Sequence, residues 1–287
     1  MEELTICWSI TTKCNMNCSY CFSKYDHAEE YHISDRLLER TITKIMRASK
    51  KYSIRLVILG GEPTLHPRLK EICERCLVFC RKVIIVTNGT KPEIIHNIPK
   101  EVSIDLSYHG QDLSYFLPLI EELKKTHFTQ ILCVLDKYCK SNIITLHDWC
   151  EKTHTMFEAI PIVDNVTELA EDYEDTFLNA VRSDIYYKIP MFSGVQTNLD
   201  VYVKNRNNIE EDCLILCKQS NIAIYANGYY YPCCKNGMLY HKAHIEGDQD
   251  IRLEILCRHR YCMENRGCLD FAGWRQDPDG FLFGNNE

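Results

Sequence analysis

Apolar positions recur along residues 5–163 in two alternating rhythms. Short runs, either alternating or continuously apolar, predict strands: TICWSITT (5–12), IRLVILG (54–60), KVIIVTN (82–88), EVSIDLSY (101–108), TQILCVLD (129–136) and FEAIPIV (157–163). Amphipathic stretches near 34–50, 68–80, 112–125 and 143–152 predict helices between them. Ser34, just ahead of Arg36, Leu37 and Leu38, has the position of an N-cap. The link near 92–98 has room for a helical turn only. Strands alternating with helices predict parallel neighbours joined by right-handed crossovers. The fold expected is therefore α/β, a partial (β/α)6 TIM-like barrel with its chemistry at the C-terminal ends of the strands.

The rhythm changes after residue 164. An acidic-faced helix is expected over 168–182, and strands over 195–203 and 221–231, the latter folded at Asn227–Gly228. From about residue 210 the chain is rich in cysteine and poor in continuous core, a composition that calls for metal staples. The expected organisation is a barrel core over 1–165, a linking segment over 166–209 and a small cysteine-rich auxiliary-cluster domain over 210–287.

Composition adds one outlier. Of 287 residues 17 are cysteine, an odd number that cannot all pair within the chain. The formal net charge of −7 speaks against a broad nucleic-acid surface, so no nucleic-acid partner is expected. The N-terminus has no basic region followed by an apolar core, and no run approaches a membrane span, so no membrane partner is expected. A cytoplasmic, reducing setting is the default reading, and clustered cysteines there point to metal or redox work. Cys73, Cys76 and Cys80 have helical spacing and read as small packing residues.

Cys14, Cys18 and Cys21 fall in a loop between the first strand and the first helix. Three thiolates can hold three irons of a four-iron cluster and leave the fourth open to a chelating molecule. A zinc knuckle completed by His27 or His32 is the competing reading. The C-x3-C-x2-C run has aromatic Tyr20 before its last cysteine, Gly60-Gly61-Glu62-Pro63 ends strand two, Thr87-Asn88-Gly89 follows strand three, and Ser103 to His109 cover strand four. In these features, over roughly residues 4–163, the chain resembles the radical S-adenosylmethionine superfamily.

The resemblance implies a [4Fe-4S] cluster on Cys14, Cys18 and Cys21, with S-adenosylmethionine chelating the open iron. Gly60, Gly61 and Glu62 would present backbone groups and a carboxylate to the cofactor amine, Tyr20 would lie near the adenine, and Asn88 and Ser107 would contact ribose or carboxylate. Glycine suits such a place because it lets backbone approach a ligand closely. Reduction would yield methionine and a 5′-deoxyadenosyl radical that takes a substrate hydrogen. An electron donor such as flavodoxin or ferredoxin is implied as a partner.

Cys217, Gly228 and Cys233 form a C-x10-G-x4-C run around the hairpin IAIYANGYYYP. This resembles the opening of a SPASM or twitch auxiliary-cluster region. The tail, Cys257-x4-Cys262-x5-Cys268, departs from the full SPASM pattern, so one auxiliary [4Fe-4S] cluster is expected. Its ligands would be Cys217 and Cys233 with two of Cys257, Cys262 and Cys268, while Cys213 and Cys234 are spares. A structural zinc site is the alternative.

Two function classes follow. One is an oxidoreductase-type enzyme that dehydrogenates or cross-links a ribosomally made peptide, or oxidises a small metabolite such as an amino sugar, with the auxiliary cluster as electron acceptor. The sequence opens almost directly on strand one, so a separate peptide-recognition protein is a candidate partner. The other class is a non-enzymatic iron–sulfur sensor or scaffold, which would have no use for the Gly-Gly-Glu-Pro run.

Overall fold

Six parallel strands form where the apolar runs place them: β1 (Glu2–Ser9), β2 (Tyr52–Leu59), β3 (Lys82–Thr87), β4 (Ser103–Tyr108), β5 (Thr129–Val134) and β6 (Met156–Ile160). The structure is a computed structural model that describes residues 1–21, 30–162, 173–182, 213–218, 221–231, 243–247 and 254–259. Helices α1 (Asp35–Ala48), α2 (Leu69–Leu77), the single turn α3 (Pro92–Ile95), α4 (Leu113–Leu123) and α5 (Lys140–Lys152) fill the crossovers. Ser34 caps α1, its hydroxyl accepting from the Leu37 N–H, and Leu38, Thr41, Ile42 and Ile45 form the buried stripe of that helix.

Strand alternation separates two faces. Leu4, Ile6 and Trp8 of β1, Ile54, Leu56 and Ile58 of β2, and Ile104, Leu106 and Tyr108 of β4 join one core with the helices, Tyr108 meeting Phe116 of α4 edge-on. Along β2 and β5 the intervening residues, such as Val57, Leu59, Leu132 and Val134, are only half-buried and line the opposite face.

Every strand but β4, which ends at Tyr108 as expected, stops short of the end expected from its apolar run. At β1 the reason is visible. Ile10 still donates to Leu59 O, but Thr11 bridges to His32 and Thr12 donates to Tyr31 O, so the returning chain takes over as partner. Pro161, which has no N–H to offer a ladder, follows the end of β6. Past β6 the described residues include one short helix, α6 (Asp175–Ala180), inside the acidic stretch expected to be helical over 168–182. The strand expected over 195–203 lies outside the described residues.

The sheet does not end with six strands. Beyond β7 (Cys213–Lys218) come β8 (Asn221–Ile224), β9 (Tyr229–Tyr231), β10 (Ala243–His244) and β11 (Glu254–His259). The order is β10-β9-β8-β1-β2-β3-β4-β5-β6, with β8 parallel to β1, and no pairing among the described residues joins β6 to β10. The β8–β9 hairpin turns at Asn227–Gly228 as the sequence predicts, Gly228 having a φ of 85°. Its neighbourhood is clasped to α1. Arg36 pairs with Glu246 at 2.8 Å, Arg40 donates to Glu246 O at 3.2 Å, and Lys44 donates to Gly247 O at 2.6 Å. β7 and β11 form a separate antiparallel pair. No helix among the described residues is long and apolar enough to cross a membrane.

One buried charge has a consequence for stability. Asp105 of β4 is 7% exposed, and among the described residues no hydrogen bond reaches its carboxylate. Burial pushes its pKa up to about 6, against the pull of Arg55 and Lys82. A carboxyl raised on folding favours the native state while protonated. That contribution is complete below about pH 4 and is lost as pH rises through about 6. A shift of this size corresponds to something on the order of 3 kcal/mol at 1.36 kcal/mol per unit. Asp105→Asn is therefore expected to flatten the fall in urea midpoint between pH 4.5 and 7.5. Parallel pH profiles for parent and variant would contradict this.

Candidate functional site

The three N-terminal cysteines lie just past the end of β1, at the strand ends where a barrel keeps its chemistry. All three are half-buried free thiols. Burial chiefly holds the Cys14 thiol above its ordinary pKa; nearby Glu62, Cys21 and Cys18 add to this, and the Met16 N–H works against it. Cys14, Cys18, Cys21 and Glu62 thus share one electrostatic neighbourhood that has more negative than positive character. A bound cation would compensate it and deprotonate the thiols.

The loop after β2 docks directly beneath this group. Gly61 N–H donates to Thr11 O at 2.9 Å and Glu62 N–H donates to Lys13 O at 2.8 Å. A Cβ on Gly61 would come within 2.6 Å of Thr12 O and closer still to the Lys13 carbonyl. Both neighbours are backbone, so glycine is a steric requirement here and not a preference.

Glu62 is 1% exposed, and its carboxylate is turned into the protein. One oxygen accepts from Thr64 N–H (2.9 Å), Thr64 hydroxyl (2.6 Å) and Thr87 hydroxyl (2.7 Å), and the other accepts from Asn88 N–H (2.8 Å). The side chain therefore ties the ends of β2 and β3 together. The groups left facing the cysteine loop are the backbone of residues 60–62.

Asn88 is likewise engaged. Its amide donates to Asn15 Oδ1 at 3.0 Å, and its own Oδ1 accepts from the Thr90 N–H and hydroxyl. Ser107 is 8% exposed on β4, and among the described residues its hydroxyl has no hydrogen-bond partner, which leaves it available to a ligand. Tyr20 reaches across to β4, its hydroxyl 3.1 Å from His109 Nδ1 and the two rings stacked 6.0 Å apart. Burial, reinforced by Cys18, pushes the Tyr20 phenol up, while burial pulls His109 down.

Zinc gains no support from His32, whose Nδ1 sits 2.9 Å from the Thr11 hydroxyl and whose ring packs on His66. Among the described residues no three His, Cys, Asp or Glu side chains gather around a single point, and His27 lies outside the described residues. Of the second cysteine group, Cys217 stands opposite Ile255 and Cys257 opposite Ile215 in the β7–β11 pair. Cys233, Cys234, Cys262 and Cys268 lie outside the described residues.

Four residues that sequence reasoning did not assign belong to this site: Asn15, Thr90, His109 and Gln111. The signals that could have found them were the Asn-Gly and His-Gly pairs directly after strands, where turns bring side chains back over strand ends.

A loop of three cysteines seated on a glycine-rich strand end, at the C-terminal edge of a largely parallel sheet, defines a class. Residues 8–169, more than half of the chain, match the model of the radical SAM superfamily, and the chain belongs to that superfamily. The family implies a [4Fe-4S] cluster and S-adenosylmethionine, and the donor chemistry fits: three free, half-buried thiols on one loop, whose lead-in backbone packs on Gly60 and Gly61 too closely for a Cβ. A protein from Pyrococcus abyssi named as a probable GTP 3′,8-cyclase is 32% identical over 99 residues, which is 34% of this chain and 31% of that protein. The match thus spans about a third of that relative's length. The crystal structure of Streptococcus suis SuiB bound to precursor peptide SuiA superposes with a TM-score of 0.61 at 19% identity, covering 86% of this chain and 63% of that one. The structure of anSMEcpe with bound AdoMet superposes with a TM-score of 0.59 at 17% identity, covering 87% of this chain and 76% of that one. At these identities the likeness is one of fold.

Proposed function

We propose that this radical SAM enzyme oxidises or cross-links a peptide substrate after removing one of its hydrogen atoms. The observation that carries the reading is the docking of Gly61 and Glu62 backbone onto Thr11 and Lys13, which seats the glycine-rich loop against the segment that leads into Cys14, Cys18 and Cys21. When bound, the cluster and S-adenosylmethionine supply reductive cleavage to methionine and a carbon-centred radical. The chain's own part is orientation. Cys14, Cys18 and Cys21 would hold the metal, the backbone of 60–62 would serve the methionyl amine, Ser107 would offer a hydroxyl, and Tyr20 would stand beside the adenine. The likeness in fold to SuiB, whose structure contains a precursor peptide, supports the peptide reading.

Removing a hydrogen atom leaves a substrate radical, and losing one further electron and a proton makes the net change a two-electron oxidation. A second four-iron cluster on Cys217, Cys233 and two of Cys257, Cys262 and Cys268 would be the electron's acceptor. A second reading, oxidation of a small metabolite, draws on the relative named for GTP.

Anaerobic reconstitution with iron, sulfide, dithionite and S-adenosylmethionine tests the class. The expected result is 5′-deoxyadenosine and about eight irons per chain, from two four-iron clusters. An intact N-terminal cluster that forms no 5′-deoxyadenosine would favour the sensor or scaffold reading. About four irons together with bound zinc would remove the electron acceptor while leaving the radical chemistry in place.

A further inference from the structure

The cysteine loop is an irregular segment from Cys14 to Cys21, and such a segment needs something outside itself to define its shape. Within it the structure shows a Cys21 N–H to Cys18 O bond at 3.2 Å and a Met16 N–H to Cys14 sulfur contact at 3.4 Å. Each end, next to a cysteine, carries a side chain that leaves the loop and grips a different strand end.

At the first end Asn15 accepts from Asn88 Nδ2 at 3.0 Å and donates to the Thr90 hydroxyl at 2.7 Å. The Thr90 hydroxyl donates in turn to Asn88 Oδ1 at 2.6 Å, closing a three-residue ring past the end of β3. At the other end the Tyr20 hydroxyl lies 3.1 Å from His109 Nδ1, past the end of β4. Gln111 joins the two. Its carbonyl accepts from the His109 N–H, and its amide donates to both Asn88 O and Ser107 O at 3.1 Å. Gly110, with a φ of 87°, makes the turn that lets Gln111 fold back over β4. Glu62 anchors the same circuit from below through the Asn88 N–H.

We infer that Asn15, His109 and Gln111 are positioning residues, a continuous hydrogen-bonded circuit that fixes the cysteine loop against the ends of β3 and β4 before metal arrives. This rests on the reading of Cys14, Cys18 and Cys21 as cluster ligands. None of the three need touch the cofactor. They act through Asn88 and Tyr20, the residues flanking the loop's two ends in space.

The test uses the full chain in two states. In the metal-free protein, His109→Ala, which loses one side-chain hydrogen bond, Asn15→Ala, which loses two, and Gln111→Ala, which loses three, are each expected to speed exchange of the Met16 and Cys21 amides by about tenfold or more, roughly the factor for one net hydrogen bond at the least. Exchange in α1 and β2 should stay unchanged. In the reconstituted protein, a ferrous chelator should strip the cluster faster by a similar factor. His109→Gln keeps a hydrogen-bonding partner, donor or acceptor, for the Tyr20 hydroxyl and should return to within about twofold of the parent, given one hydrogen bond restored. Tyr20→Phe removes one oxygen atom and should equal His109→Ala, with the double variant no worse than either. Parent-like exchange and stripping in all the variants would overturn the inference. A parent that takes up no iron at all would instead overturn the cluster reading, and the metal-free exchange rates would still decide the circuit.

Discussion

Cys18→Ala is expected to leave no S-adenosylmethionine cleavage above the uncatalysed background, whereas Cys233→Ala keeps a measurable part of it while impairing substrate turnover. Cys18 sits within the loop that both Asn15 and Tyr20 fasten down, and its charge is felt by Cys14 and by the Tyr20 phenol. With two thiolates left, the N-terminal cluster loses one of its three protein ligands, and the open-iron arrangement has no framework. Cys233 belongs to the C-terminal group, so its loss should act after hydrogen removal. Quantifying 5′-deoxyadenosine by chromatography, with iron content measured in parallel, checks both. Equal loss of cleavage in the two variants would contradict the division of roles.

Gly61→Ala is expected to lower cofactor cleavage by about 100-fold, the penalty for moving reacting groups by an ångström or so. The added methyl would collide with the carbonyl of Lys13 and with Thr12 O, and neither is a flexible side-chain tip. Relief requires pushing residues 12–13 away, and with them Cys14. The Gly61 N–H to Thr11 O and Glu62 N–H to Lys13 O bonds then stretch together. Single-turnover cleavage with saturating cofactor separates this displacement from weaker binding. A variant that lost only affinity, with its cleavage rate intact, would show that the loop can move without carrying the cysteines.

The run of six parallel strands was legible because strands are local events. IRLVILG or TQILCVLD can be recognised from a few residues, and each strand pairs with the next one along the chain, so order in sequence becomes order in the sheet. The cysteine spacing and the Gly-Gly-Glu-Pro run were legible for the same reason. What escaped were pairings between distant segments. CLILCK meets EILCRH some forty residues on, and neither run alternates cleanly enough to be read as a strand by itself. The parallel seat of β8 on β1 joins residues more than two hundred apart.

At the site, residue type was legible but direction was not. Glu62 reads as a ligand because it sits in the motif, yet its carboxylate is ringed by Thr64, Thr87 and Asn88. Asn88 reads as a cofactor contact, yet its amide group closes a ring with Asn15 and Thr90. In both cases the deciding partner comes from another strand end, which one-dimensional spacing does not record.

The β8–β9 hairpin gives the N-terminal half a dependence on the C-terminal half that a domain boundary near residue 165 would hide. β1 is the strand that carries the cysteine loop, and β8 occupies its outer edge from Thr5 to Trp8. A chain ending after β6 would present that edge bare: a row of unpaired peptide groups flanked by Ile6 and Trp8, open to the first extended segment of another molecule. That edge of β1 is thus covered by residues about two hundred positions further along the chain, and a version shortened after β6 is expected to carry an adhesive strand beside its cysteine loop.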